Sequence, residues 1–190
     1  MKQMTQIKIG LKLFAILVIL VGIVYPVVTT ALAHLFFPKE AGGSLIHDAG
    51  GNVIGSALIG QPFSDTKYFW SRPSATSGYP YNPMASGGSN LGPTNKDLLG
   101  QISNRTDLLM SSGIHTPVPS DLVEASASGL DPHISLQSVM VQIPRVAKMR
   151  NLDEETLRKL VFEHVEERQF GFLGEQRVNV LELNLALDNI

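Results

Sequence analysis

Residues 13–37 read LFAILVILVGIVYPVVTTALAHLFF, and this stretch decides the fold class. It contains no Asp, Glu, Lys or Arg, and Leu13–Leu32 holds thirteen Leu, Ile, Val or Phe residues. A helix of this length spans roughly 37 Å at about 1.5 Å per residue, which is enough to cross a hydrocarbon core of about 30 Å with some tilt. The apolar side chains favour insertion by about 4–8 kcal/mol. We therefore predict a transmembrane helix over residues 13–37.

The residues that flank this stretch predict its orientation. The basic residues ahead of it are Lys2, Lys8 and Lys12. After it, Lys39 is matched at once by Glu40. Because positively charged flanks stay inside, residues 1–12 are expected in the cytoplasm and residues 38–190 outside it. The sequence thus predicts a single-pass protein of the lipid bilayer with one extracytoplasmic domain.

The alternative to a retained anchor is a cleaved signal peptide. Ala31-Leu32-Ala33 matches the A-x-A cleavage pattern and the N-terminus is basic. The protein would then be a soluble periplasmic enzyme or binding protein. However, the apolar run is longer than a typical signal peptide, and cleavage would leave an apolar tip, His34-Leu35-Phe36-Phe37, in water. We favour the anchor, and sequencing the mature N-terminus would distinguish the two.

Short strands are expected at the start of the outer domain. Ser44–His47 and Val53–Ile59 have strand character, and Asp48–Asn52 between them is rich in residues that suit a hairpin turn. Tyr68–Trp70 is a candidate third strand. The last apolar segment, Val178–Leu187, is expected to be a strand or a short helix.

Helices fill the middle of the chain. Three are predicted, each behind a capping residue (Thr94 or Asn95, Ser135, Asp153): Lys96–Ser111, Leu136–Arg150 and Glu154–Glu167. Pro144 has no amide hydrogen, so it should kink or break the second helix. The predicted fold class is therefore a single N-terminal transmembrane helix plus one mixed α/β (α+β) extracytoplasmic domain.

Residues 71–95 form an unusually long stretch of Pro, Gly, Ser and Asn. Loops of this length are typically functional or disordered. Aromatic residues in and just before the loop favour a contact surface over disorder, because such side chains seek burial or a partner. Ser86–Asn90 could cradle an anion, but the Gly-Lys-Ser/Thr ending of a phosphate-binding loop is absent from the sequence.

Catalytic and metal-binding signals are weak. The chain has no cysteine, and its histidines do not fall at metal-ligand spacing. Asp131-Pro132-His133 near Ser128 and Ser135 invites a Ser-His-Asp interpretation, yet there is no G-x-S-x-G elbow, and a turn with a structural histidine is simpler. No basic stripe indicates nucleic acid. We predict no catalytic residue, no metal site and no nucleic-acid partner.

Several long motifs carry a family resemblance. In chain order they are Tyr68–Ala75, Tyr81–Pro83, Ala85–Asn95, Ala127–Ser135, Gln142–Ala147, Gly174-Glu175, Val178–Leu181, Leu183-Asn184 and Leu187. With the basic N-terminus and single span, they closely resemble the C-subunit family of the Kdp potassium-transporting ATPases. The resemblance covers almost the whole chain. It implies an accessory, non-catalytic subunit of ATP-driven potassium uptake in the bacterial inner membrane.

The resemblance also implies partners and one nucleotide-related residue. The partners are a channel-like A subunit that binds potassium, a B subunit that hydrolyses ATP and a small F subunit. The C subunit is needed for assembly, and it is proposed to raise the ATP affinity of the B subunit as a catalytic chaperone. The glutamine proposed to matter there matches Gln142. No cofactor is expected to bind tightly, and ATP would be reached only through the complex.

The predicted topology conflicts with a direct contact between Gln142 and ATP. The lysine flank places this residue outside the cytoplasm, where ATP is scarce, so an indirect effect on the A–B assembly fits better. We expect the outer domain to contact the A subunit instead. The expected interaction surface comprises Tyr68, Phe69, Trp70, Arg72, Tyr81, Asn82, Ser89, Asn90, Asp131 and His133.

Overall fold

The computed structural model describes residues 2–48, 50–115 and 117–190. These residues form two units, Met1–Ile54 and Gly55–Ile190. The first unit holds the apolar helix and most of a small hairpin. The second holds a mixed helix-and-sheet domain with its own apolar core.

The apolar stretch forms one long helical run. It consists of α1 (Lys2–Ile19), a π-helical segment (Leu20–Val24) and α2 (Tyr25–Phe36). Within the described residues, Met4–Phe36 is the one helix that is long and apolar enough to cross a membrane, and none of it is buried by protein. This agrees with the predicted span and with side chains that face lipid.

Pro26 accounts for the π-helical segment. Proline has no amide hydrogen, so it cannot bond the carbonyl four residues back. The Tyr25 N–H instead bonds the carbonyl of Leu20, five residues back. A π-bulge of this kind accommodates the proline, and the helix continues through it.

A short helix and a hairpin follow. They are α3 (Pro38–Ala41), β1 (Leu45–His47) and β2 (Val53–Ser56). In the turn, Asp48 Oδ1 accepts hydrogen bonds from the N–H groups of Gly50 and Asn52, each at 2.8 Å; Ala49 of the predicted turn lies outside the described residues. The strand predicted to reach Ile59 ends at Ser56, because the Ile59 N–H turns back onto the Ser56 carbonyl at 3.2 Å.

The sheet of the second unit has the strand order β3-β5-β4, with both pairs antiparallel. Its strands are β3 (His133–Ser135), β4 (Val165–Glu166) and β5 (Arg177–Asn179). Ile134 and Val165 both lie opposite Val178, so these apolar side chains share the core face. Because side chains alternate along a strand, Glu166 and Arg177 pair on the opposite face.

Helices cover the core face of this sheet. They are α4 (Lys96–Ser111), α5 (Leu136–Met140), α6 (Ile143–Arg150), α7 (Glu154–Glu163) and α8 (Val180–Leu187), with 3₁₀ turns at Pro83–Ala85 and Ser120–Leu122. Apolar residues spaced three and four apart face inward from the last three helices. They are Ile143, Val146, Leu157, Val161, Leu183 and Leu187, all 0 % exposed.

The predicted helix starts are confirmed. The side chains of Asn95, Ser135 and Asp153 each accept a hydrogen bond from a first-turn N–H. The break expected at Pro144 is also confirmed, because α5 ends at Met140 and α6 begins at Ile143. Pro144 lies in the first turn of α6, where an N–H has no partner within the helix, so its absence costs no helical hydrogen bond.

Three further predictions of secondary structure need correction. α7 ends at Glu163 rather than Glu167, because Val165–Glu166 pairs with β5. The last apolar segment, Val178–Leu187, is not one element: it holds the end of β5 and the whole of α8, and Asn179 at the junction caps α8. Tyr68–Trp70 is not a strand; its backbone is bonded by side chains instead.

Candidate functional site

Gln142 lies at the centre of a buried hydrogen-bond network between α5 and α6. Its side chain is 0 % exposed. The amide oxygen accepts hydrogen bonds from the Trp70 N–H at 2.7 Å and from Arg145 Nη2 at 2.6 Å. The amide nitrogen donates to the carbonyls of Ser138 at 3.0 Å and Trp70 at 3.3 Å. All four hydrogen-bonding positions of the amide are therefore filled inside the domain.

Asn184 of α8 bonds the neighbouring residue in the same way. Its oxygen accepts from the Phe69 N–H and its nitrogen donates to the Phe69 carbonyl, both at 2.9 Å. Two buried carboxamides thus bond the backbone of Phe69 and Trp70 as a neighbouring strand would. A buried backbone needs such partners, so this pairing holds Tyr68–Trp70 between α6 and α8.

Arg145 completes this network from α6. Its guanidinium donates to the carbonyls of Thr66 and Tyr68, and it lies 4.5 Å from the centroid of the Trp70 ring. Burial lowers the pKa of Arg145 to about 10, and the charge of Asp65 acts in the opposite direction. The group stays cationic at neutral pH, so it stabilises the aromatic segment by cation–π contact as well as by hydrogen bonds.

A chain of five charged residues forms a second polar network in the domain. Arg72 Nη1 lies 3.1 Å from Asp131 Oδ2, and Asp131 Oδ1 lies 3.3 Å from His133 Nδ1. His133 Nε2 lies 3.2 Å from Glu166 Oε1, and Arg177 Nε donates to Glu166 Oε2 at 2.9 Å. These contacts join the loop after Trp70, the turn before β3, and strands β4 and β5.

His133 faces a carboxylate at each ring nitrogen. Burial by itself lowers the pKa of His133, but the hydrogen bond to Asp131 and the charge of Glu166 outweigh it and raise the pKa above the ordinary value. Burial likewise raises the pKa of Asp131, and the hydrogen bonds from His133 with the charge of Arg72 lower it overall. Only the imidazolium can donate to both carboxylates at once.

These contacts leave no Ser-His pair for nucleophilic catalysis. Both ring nitrogens of His133 face acids, the Ser135 hydroxyl donates to Ser138 Oγ, and the Ser128 hydroxyl accepts from the Leu130 N–H. In the described part of the chain, no three His, Asp or Glu side chains converge as a metal site would require. The open cavity of about 630 Å³ beside the charged chain is lined by both acids and bases.

The loop over residues 71–95 is held by its own polar side chains. Ser74 Oγ accepts from the Tyr81 N–H at 2.9 Å, and Thr76 Oγ1 donates to the Tyr79 carbonyl at 2.7 Å. Tyr81 is buried with φ at +58°, and its hydroxyl donates to the Arg72 carbonyl. Burial, the largest influence, raises the pKa of Tyr81 to about 12, so the phenol stays a donor.

Two predicted surface regions come together here. The Ser74 hydroxyl donates to the Gly129 carbonyl at 2.8 Å, and the Gly87 N–H donates to the Ser128 carbonyl at 2.8 Å. Gly129 has φ at +69°, and a Cβ there would lie 2.5 Å from Thr76 Cγ2. The loop over residues 71–95 and the turn before β3 thus form one continuous surface.

The predicted site residues differ in how accessible they are. Phe69, Tyr81 and Gln142 are buried; Tyr68, Trp70, Arg72, Asn82, Asp131 and His133 are half-buried; Ser89 and Asn90 are exposed. Phe69 and Tyr81 therefore act in packing. The others bring polar or aromatic edges to the surface, and their contact with a partner stays a prediction.

Sequence reasoning missed four residues that complete these networks: Arg145, Glu166, Arg177 and Asn184. Asn184 had a signal, since it is a lone amide among apolar residues of α8, where a buried polar group must find partners. Glu166 had none, because the sequence placed it near the end of the predicted helix Glu154–Glu167.

Comparison with known proteins gives a consistent match over the full length. The family model described as KdpC, "K+-transporting ATPase, c chain", matches residues 7–189. A protein from Geotalea uraniireducens, named potassium-transporting ATPase KdpC subunit, is 59 % identical over 187 residues, covering 98 % of this chain and 99 % of its own.

More distant relatives carry the same name. The protein from Geobacter sulfurreducens is 54 % identical, with 98 % of this chain and 99 % of its own covered. That from Methylococcus capsulatus is 52 % identical, with 98 % of each chain covered. These matches give no support to the alternative of a cleaved soluble enzyme or binding protein.

Proposed function

The chain belongs to the KdpC family, and it is an accessory subunit of the K⁺-transporting ATPase complex; from this premise we propose that it is a non-catalytic, single-pass subunit whose domain acts outside the cytoplasm. The observation that carries the proposal is the unburied apolar helix Met4–Phe36, together with the Gln142 amide, whose four hydrogen-bonding positions are all filled inside its own domain. An amide bonded in this way holds the domain together rather than taking part in chemistry.

The proposed orientation rests on the lysines ahead of the helix. Lys2, Lys8 and Lys12 precede the apolar run, whereas the segment after it begins with the matched pair Lys39-Glu40. Positive flanks remain in the cytoplasm, which puts residues 38–190 on the outer face of the inner membrane.

The proposed partners are the channel-like A subunit, the ATP-hydrolysing B subunit and the small F subunit. For the helix, contact with other membrane helices is supported by Gly22, where a side chain would meet nothing within 4 Å of this chain. Small residues let helices approach closely in lipid. For the domain, the surface around Ser89, Asn90 and Asn82 is the proposed contact with the A subunit.

An effect on ATP affinity, if the subunit has one, is proposed to be indirect. The buried amide of Gln142 supports this, because contact with a nucleotide would require it to give up bonds to Trp70, Arg145 and Ser138. A subunit that binds one conformation of a pump better than another shifts its ligand affinity without touching the ligand.

Co-purification tests the proposal. The tagged full chain, expressed with the other subunits and extracted in mild detergent, should retain them and support potassium-stimulated ATP hydrolysis. The chain alone should show no hydrolysis. Hydrolysis by the isolated chain would contradict a non-catalytic role, and tight ATP binding to it by calorimetry would contradict an indirect effect on ATP affinity.

A further inference from the structure

The hairpin between β4 and β5 exposes aromatic side chains at its end, which we call the hairpin tip (residues 169–174). Phe170 is 87 % exposed, Phe172 is 70 % and Leu173 is 48 %. The tip is nevertheless ordered, because Gln169 and Leu173 exchange two backbone hydrogen bonds of 2.9 Å each. Three adjacent apolar side chains on one protruding turn are typical of an interaction site.

The backbone of the tip shows that the turn does not require a phenylalanine at position 170. Phe170 has φ at +54° and Gly171 has φ at +79°, so two successive residues of the turn are in the left-handed conformation. Gly, Asn or Asp adopt this conformation easily, whereas a bulky aromatic residue is strained there. Its ring is also outside the core. The aromatic residue therefore serves neither the turn nor the packing of the domain.

The surroundings of the tip are acidic. Residues 163–177 contain four glutamates against two arginines. Each arginine pairs with one of these glutamates, Arg168 with Glu175 at 2.5 Å and Arg177 with Glu166 at 2.7 Å, so Glu163 and Glu167 leave the region acidic. An acidic border repels anionic lipid, whereas segments that bind anionic membranes carry Lys and Arg. It would also repel the same border on a second copy of the chain.

We propose that the hairpin tip inserts into an apolar recess with a basic rim on another protein subunit of the complex. This rests on the proposed function, because it assumes that the domain assembles with partner subunits. Phe170 and Phe172 are the anchors, and the glutamates select the basic rim and orient the docking. The tip thus adds a second contact, distinct from the loop over residues 71–95.

The test compares matched variants of the full chain in the complete complex. In the double variant Phe170→Gly with Phe172→Ser, the turn is kept and its strain removed while the anchors are lost. We expect about tenfold or more weaker retention of the partner subunits on dilution in detergent, as for the loss of a central aromatic anchor. Met149→Gln, which alters an apolar side chain 53 % exposed on α6, should retain them like the wild type.

Folding of the double variant is checked by unfolding in urea, followed by the fluorescence of the single tryptophan, Trp70. A folded double variant that retains its partners like the wild type would overturn the inference. Failure of the wild-type chain to retain any partner would instead overturn the proposed function.

A charge variant and a fluorescent label distinguish insertion of the tip into a partner protein from insertion into the bilayer. Because the chain has no cysteine, Phe170→Cys can carry a polarity-sensitive bimane label. Its emission should shift to the blue in the complex but not when the chain alone is placed in nanodiscs containing phosphatidylglycerol. Glu167→Lys should weaken retention of the partners. A blue shift in the nanodiscs alone, or stronger retention with Glu167→Lys, would refute a protein recess with a basic rim.

Discussion

The side-chain amide of Gln142 bonds both backbone polar groups of Trp70, accepting from its N–H at 2.7 Å and donating to its carbonyl at 3.3 Å. The two residues are 72 positions apart in the sequence. This pairing, repeated between Asn184 and Phe69, lets an irregular segment enter the core with its polar groups satisfied. Gln142 is thereby a structural residue of the domain.

Gln142→Ala should destabilise the domain by about 2–4 kcal/mol, because it leaves the Trp70 N–H and the Arg145 guanidinium without their shared acceptor. Urea unfolding of the detergent-solubilised full chain measures this through Trp70 fluorescence. Gln137→Ala, at an exposed glutamine on α5, should stay within about 0.5 kcal/mol of the wild type. Equal stability of the two variants would count against the structural role.

Trp70→Ala should lower stability by about 2–4 kcal/mol, because it removes a half-buried ring and its contact with Arg145. Thermal unfolding by circular dichroism measures the loss. Tyr79→Ala removes an aromatic ring that is 56 % exposed, and it should change stability little. A Trp70→Ala chain as stable as Tyr79→Ala would show that the ring serves only the surface.

Gly129→Ala should destabilise the loop over residues 71–95 by more than about 1 kcal/mol. The position has φ at +69°, and the added Cβ would press on Thr76 and on the Gly87 carbonyl. Gly87→Ala is the matched control, since a Cβ there meets nothing within 4 Å. Limited proteolysis of the loop should be faster in Gly129→Ala alone; identical cleavage of the two variants would contradict the close packing.

The charged chain should make stability depend on pH through His133. Its pKa is raised above 6.5 in the folded protein, so its contribution is complete below that value and is lost as the pH rises through the folded pKa. Asp131 has a lowered pKa, so its contribution is present above 3.8 and is lost as the pH falls through its folded pKa. Stability should therefore be greatest between these limits.

The His133 contribution is expected to be about 1 kcal/mol, because the group is only half-buried and solvent screens it. Urea unfolding between pH 5.5 and 8.5, ~3 pH units around the histidine transition, measures the slope. His133→Asn should flatten it. His164→Asn is the matched control, a histidine whose Nδ1 lies 2.8 Å from the Leu160 carbonyl. An unchanged slope in His133→Asn would rule out the ionic role.

Local sequence signals predicted those elements whose causes are local. Asn95 and the apolar stripe behind it placed α4 at Lys96–Ser111, and Pro144 marked the break between α5 and α6. Tyr68–Trp70 was predicted as a strand because its composition suits one, but its partners are amides 72 and 115 positions away. Glu166 was likewise predicted to lie in a helix, but it pairs with β5 and belongs to β4. The secondary structure of such residues depends on contacts between distant segments, which the local sequence does not show.

The most direct test of the central claim is the side of the membrane on which the domain lies. Single cysteines can be placed at the exposed Glu155 on α7, which lies in none of the proposed contacts, and at Thr5 ahead of the predicted span, since the chain has none of its own. With a membrane-impermeant maleimide on intact spheroplasts, Glu155→Cys should be labelled, and Thr5→Cys only after the membrane is opened. Labelling of Thr5→Cys but not Glu155→Cys in intact spheroplasts would contradict an extracytoplasmic domain.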